Sequence, residues 1–278
     1  MDLWHCTARL VDDRVIAAEA TSIRTAVDRI LTKCLPRGLV VFAVVDNHMH
    51  LLLHGPREEV GETMRRLELS FHHHLPIPRP FERARFRRVA DRDHLWRAVP
   101  YILKQIDRHG VRTDPLWEGS ALHDLLGLRV PGRALHRRLL RHLPRLREGT
   151  LLGWLDVGAE LAAVWDEPVD GERLGLLADA AAAAFALPNL CAGGRAPAAI
   201  RAACQATGAK VNVAAIARAL GVGRRTVFRA RRAEVPAASI RAVRRQVWLR
   251  VALRRSRRAG PSPEAGVSDG RGDRLFLG

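Results

Sequence analysis

Lysine is nearly missing. Lys33, Lys104 and Lys210 are the only three among 46 basic residues, and arginine supplies the rest. That bias is as consistent with GC-rich coding as with chemistry, so where the charge lies counts for more than its total of +17. Cysteine is scarce as well: Cys6, Cys34, Cys191 and Cys204 show no CxxC spacing and no dense framework. Zinc-finger and disulfide-scaffold classes are therefore excluded, and a reducing, cytoplasmic location is expected. No apolar run approaches the roughly 18 residues a membrane span needs. The longest, around Leu176 to Leu187, is short and Ala-rich. "MDLWHCTARL" at the start has no basic region before an apolar stretch, so no signal peptide is expected. Acid is missing from one stretch: between Arg195 and Gly260 there are sixteen arginines and one lysine against Glu234 alone. Nearly the whole positive field sits there, as expected of a module that neutralises phosphates.

What is present begins with nearly half the residues apolar in 278, enough for a sizeable core and two domains. Leu3–Val11 alternates as a strand. Thr21–Leu35 has Ile23, Ala26, Val27, Ile30 and Leu31 at helical spacing, with Thr21 or Ser22 as cap and Pro36 and Gly38 as terminators. Gly38–Val45 reads as a buried strand, Asp46-Asn47 as a turn, and "HMHLLLHG" as the return strand of a hairpin. Glu58–Leu75 is helical, with Val60, Met64, Leu67 and Phe71 on one stripe. Phe81–Ala90 reads as a basic edge strand, and Asp91 or Asp93 caps a helix running to about His109. The order β-α-β-β-α-β-α predicts an α+β fold: a ferredoxin-like antiparallel sheet with two helices on one face and the other face open. Leu135–Leu143, Leu151–Val164 and Leu174–Leu187 form an Ala- and Leu-rich helical connector with no polar constellation; the polar, Gly-rich end from residue 259 to 278 reads as a disordered tail.

Period two on a strand puts His48 and His50 on the same face. They are either a metal pair or two half-exposed polar residues, and the pair alone does not decide. On the following helix Tyr101 and Gln105 are four apart and share a face. Gln105 offers a carbonyl oxygen as a third ligand for a hard cation, and Tyr101, the only tyrosine in the chain, places a phenol within a turn of it. A phenol beside a divalent ion suits phosphoryl transfer: the ion polarises the phosphate while the phenolate attacks in line. His72-His73-His74 point in different directions on a helix and read as its solvent-facing end, and Trp154 and Trp165 as core.

Together "NHMHLLLHG", the basic strand and "YILKQ" resemble the single-tyrosine HUH (histidine–hydrophobe–histidine) transposases, above all the REP-associated tyrosine transposases. The resemblance spans about Leu3 to Gly127. It implies an HUH palm that cleaves and rejoins single-stranded, hairpin-bearing DNA. Tyr101 would form a 5′-phosphotyrosine link, and His48, His50 and Gln105 would hold Mg²⁺ or Mn²⁺. Arg83, Arg85, Arg87 and Arg88 would meet the nucleic acid, or form a solvated edge. The chain departs from that family in having Val45-Asp46 before the motif and Ile106 after Gln105, which removes no proposed catalytic atom.

The second constellation is Val211–Glu234. Ala214–Leu220, a turn at Gly221 and Arg224–Arg232 read as a helix-turn-helix, with Arg224, Arg225, Thr226 and Arg229 facing a DNA groove. Arg241–Arg258 would be a further basic helix gripping the backbone. The expected organisation is thus 1–127 catalytic, 128–194 connector, 195–258 DNA-binding and 259–278 tail, with DNA as partner, no membrane, and monomer against homodimer left open. The expected function is a transposase-type DNA strand transferase. The alternative is a domesticated DNA-binding regulator that does not transpose.

Overall fold

The computed structural model describes residues 2–11, 15–17, 19–45, 47–75, 77, 81–104, 117–154 and 160–259. Four strands build one sheet: β1 (Leu3–Arg9), β2 (Leu39–Val45), β3 (His48–His54) and β4 (Arg85–Arg88), in the order β2-β3-β1-β4 with every neighbouring pair antiparallel. Between and after them run α1 (Ala20–Cys34), α2 (Arg57–His74) and α3 (Arg92–Leu103). The expected order of elements is therefore the observed one. Its boundaries move in several places. Strand β1 ends at Arg9, before the expected Val11. Helix α1 is capped at Glu19, whose N–H donates to Ser22 Oγ at 3.2 Å, so Ser22 serves the cap from inside the first turn. Strand β4 is less than half its expected length: it pairs with β1 over four residues, and Phe81 makes only an isolated bridge to Leu10.

The hairpin is built on composition. All seven residues of β2 are apolar and buried, so this strand is sandwiched on both faces. Helix α2 lies against the face that carries Trp4, Cys6 and Phe86: the Arg57 guanidinium sits 3.4 Å from the Phe86 ring centroid and 5.8 Å from that of Trp4. Helix α3 begins where Asp91 accepts from His94 N–H at 2.7 Å, and it crosses the opposite face. The expectation that this face is open is thus only partly met. The outer edge of β2 is also covered. Val44 N–H donates to Gly119 O and Ala121 N–H to Phe42 O, each at 2.9 Å, and Trp117 Nε1 donates to Val44 O at 2.8 Å. Glycine is required at 119, because a Cβ there would come within 2.8 Å of Val44 O.

Beyond the sheet follow α4 (Leu122–Leu125), α5 (Arg133–His142), α6 (Glu148–Trp154), α7 (Glu160–Val164), α8 (Leu177–Ala184), α9 (Ala196–Ala206), α10 (Val213–Leu220), α11 (Arg224–Arg232) and α12 (Ala237–Ala259). Their side chains join two apolar clusters. The first contains the sheet, α1 to α3 and the chain through Trp165, with Trp154 packed against it. The second contains α8 to α11. Helix α12 serves both, giving Trp248, Leu249 and Leu253 to the first and Ala242, Val243 and Val247 to the second.

Two expectations are met only in part in this region. One connector residue joins a polar network: Asp179 of α8 pairs with Arg24 and Arg250, and buried Glu118 accepts from Arg24 at 2.6 and 2.8 Å and from Arg250 at 2.8 Å. The second concerns the arginines of α12. Arg244 donates to Asp166 O at 2.9 Å, Arg245 to Leu126 O at 2.8 Å, and Arg250 lies in that buried network. These three bind the protein itself. No helix among the described residues is long and apolar enough to cross a membrane.

Candidate active site

Register decides which side chains meet. Thr7 pairs with His50 and Arg9 with His48 across β1 and β3, and His5 pairs with Arg87 and Thr7 with Arg85 across β1 and β4. Directly opposed residues share a face, so His5, Thr7, Arg9, His48, His50, Arg85 and Arg87 line one side of the sheet. His50 is 5% exposed. Its Nδ1 lies 3.0 Å from His5 Nε2 and 3.3 Å from Thr7 Oγ1, and the two bonds fix its ring. The His48 ring centroid is 4.8 Å from that of His50.

Tyr101, in the last turn of α3, stands edge-on above this pair. Its ring centroid lies 5.8 Å from His50 and 5.9 Å from His5. Pro100, just before it, lacks an N–H but accepts from Lys104 N–H at 2.8 Å. Asn47 controls the other histidine. Its Oδ1 lies 3.2 Å from His48 Nδ1; with the amide rotated, the oxygen accepts from Arg9 Nε and Nη2 at 3.2 and 3.1 Å and the nitrogen donates to His48.

Electrostatics keep His5 neutral at pH 7. Burial pushes its imidazole down to about 4, and Arg87 and then His94 add to the shift. A neutral imidazole offers one donor and one acceptor, so His5 can accept at Nε2 from a His50 that is protonated at Nδ1.

Of the expected site residues, His48, His50 and Tyr101 come together. Gln105 lies outside the described residues. Arg85 and Arg87 are exposed on the site's face, Arg83 is exposed ahead of the strand, and Arg88 turns the other way, 3.6 Å from Asp2. Arg224, Arg225, Thr226 and Arg229 are exposed on α11, a separate surface. The His72–His74 run ends α2 as expected, with His74 bonded to Ser70 O at 2.9 Å. The residues that sequence reasoning missed are His5, Thr7 and Arg9. Their signal was the alternation of "LWHCTAR", which leaves Trp4, Cys6 and Ala8 on the opposite side.

For a divalent ion the described residues supply two strand imidazoles. They gather no group of three or more His, Cys, Asp or Glu fit to hold a metal. Gln105, the third ligand expected from the sequence, lies outside the described residues; two imidazoles with an amide oxygen would form a set that suits Mn²⁺ or Mg²⁺ better than a thiolate-seeking ion.

No protein-family model matches the chain, and no curated protein does. Among solved structures it is similar to one described as a REP-associated tyrosine transposase bound to a REP hairpin. The identity is 19%, over 44% of this chain and 77% of that one, with a TM-score of 0.39. The two are distant in structure, and the site's own geometry carries the chemistry.

Proposed function

We propose that the chain is a metal-dependent DNA strand transferase of transposase type with Tyr101 as its nucleophile. One observation carries this reading: the Tyr101 ring stands 5.8 Å from His50, which shares a strand face with His48. In this reading residues 1–127 are a ferredoxin-like HUH palm, supported by the β2-β3-β1-β4 order. Residues 128–194 are a connector, 195–258 a helix-turn-helix module and 259–278 a tail.

The step is a transesterification. The Tyr101 oxygen attacks the phosphorus of a single-stranded phosphodiester, and the phenol proton passes to solvent. The bond from phosphorus to the 3′-oxygen breaks, that oxygen takes a proton from solvent and leaves as a 3′-OH, and the 5′-phosphate remains on Tyr101. A second 3′-OH reverses the step and rejoins the strand, so no external energy source is needed. Mg²⁺ or Mn²⁺, when bound, would polarise the phosphate and offset charge on its oxygens. His48 and His50 would hold the ion through Nε2 and Gln105 would add an oxygen. Thr7 and His5 would accept from His50 Nδ1–H, fixing the tautomer that the ligand role requires.

The test is a gel assay on a labelled single-stranded oligonucleotide with hairpins, with Mn²⁺ and with chelator. A covalent protein–DNA band that disappears in Tyr101→Phe and in chelator is the expected result. Binding in every lane without cleavage would favour the second reading, a DNA-binding regulator. The observation on its side is that α11 turns Arg224, Arg225, Arg229 and Arg232 to solvent independently of Tyr101.

A further inference from the structure

Helix α11 is fixed from behind. Val227 and Ala230 are buried in the second apolar cluster, and Gln205 Nε2 donates to Ala230 O at 2.9 Å. Arg231, on the inner side, bonds Thr207 Oγ1, Gly208 O and Val211 O at 3.1 to 3.3 Å. Ahead of it, Asn212 caps α10 through a 2.7 Å bond from Ala214 N–H, and Gly221 turns the chain with φ +65°. The outer side of α11 is therefore presented as a rigid surface. It carries Arg224, Arg225, Phe228, Arg229 and Arg232, all exposed.

Phe228 is the anomaly on this surface. At 54% exposure it is the most exposed large apolar side chain among the described residues, and it stands among guanidinium groups. No acid lies on α10 or α11. That charge pattern fits a polyanion, and a phenyl ring at its centre must meet an apolar feature of that polyanion. In the major groove of duplex DNA the apolar feature is the thymine C5-methyl; the other groups on the base edges are donors and acceptors.

We infer that Phe228 reads the C5-methyl of a thymine in duplex DNA, between bases contacted by the arginines that flank it. The inference rests on the helix-turn-helix reading of α11 and adds a base identity to it. The same contact would discriminate against double-stranded RNA, whose major groove is too narrow for side chains to read.

The experiment uses the full chain in chelator, so that no strand is cut. A random duplex pool is selected for binding, and each thymine of the recovered site is replaced in turn by deoxyuridine, which lacks only the methyl. One position should lose about three- to ten-fold in affinity, the amount expected for one buried methyl. In Phe228→Ala that position should tolerate uracil without loss, while Arg225→Ala should bind more weakly and keep the thymine penalty. Phe228→Leu, which keeps an apolar side chain, should retain part of the penalty. The inference is overturned if no thymine is sensitive, or if the penalty survives in Phe228→Ala. It is also overturned if Phe228→Ala leaves DNA binding unchanged and converts a dimer to a monomer in light scattering, since the face would then bind protein. Failure to enrich any duplex would remove the helix-turn-helix reading itself, a different result from duplex binding without a thymine effect.

Discussion

Helices α11 and α12 are neighbours in sequence, both rich in arginine, and they use it in opposite ways. On α11 the guanidinium groups of Arg224, Arg225, Arg229 and Arg232 face water, and only Arg231 turns inward, where it holds the helix together with Val227, Ala230 and Gln205. On α12, Arg244, Arg245 and Arg250 turn inward onto Asp166, Leu126 O and Glu118. The difference follows from what surrounds each helix. Arg250 meets carboxylates from two distant parts of the chain, with Nε donating to Asp179 and Nη2 to Glu118; no carboxylate meets the outward arginines of α11 among the described residues. A count of positive charge along the sequence therefore overstates the nucleic-acid surface, because part of the +16 carried by residues 195–260 is structural.

The largest expected effect tests the inward group. Glu118→Gln leaves buried Arg24 and Arg250 with only the half-exposed Asp179 as a shared carboxylate, and should cost about 3 kcal/mol of stability in denaturant unfolding. A cost below about 1 kcal/mol would mean that this network does not hold the two clusters together.

Next comes the outward group. Arg225→Ala should weaken duplex binding about ten-fold, roughly 1.4 kcal/mol, and leave unfolding within about 0.5 kcal/mol of wild type. Loss of stability instead would erase the contrast between the helices.

A half-buried carboxyl whose inner oxygen has no donor sharpens the comparison. Among the described residues no donor reaches Glu68 Oε1, and burial pushes this carboxyl up to about 7. The folded protein then binds the proton more tightly than the unfolded chain, so stability falls as pH rises from about 4.5 to about 7 and is level above that. The loss should be about 1 kcal/mol, well under the full linkage value because the side chain keeps a solvent edge. Glu68→Gln should be more stable than wild type at pH 8 and equal to it near pH 4.5.

The smallest effect is in salt. Each outward arginine removed should lower the slope of log affinity against log salt by about 0.9, and substitutions at Arg244 should leave that slope unchanged.

Much of the sheet was legible because its signals are local. The hairpin announced itself through an apolar seven-residue strand, Asn47 and a second strand, and the cap at Asp91 lies beside the helix it starts. The histidine pair was legible from period two alone. What stayed hidden depends on contacts between remote residues. Arg24 meets Glu118 across 94 positions and Asp179 across 155, and no spacing rule joins them. The cover on β2 comes from Trp117–Ala121, a stretch with no strand pattern of its own. His5 is legible in principle, because the alternation of β1 puts it on the face that pairs with His50.

Helix α12 also governs the order in which the molecule can be completed. It leaves the ribosome after every other described element, and it supplies side chains to both apolar clusters as well as the arginine that joins Glu118 to Asp179. A nascent chain that ends before Ala237 leaves both clusters open, with Glu118 lacking one of its two arginines. Vectorial synthesis thus delays closure of both clusters until translation has passed α11, so the sheet that carries Tyr101 and the helix that carries Phe228 are completed together.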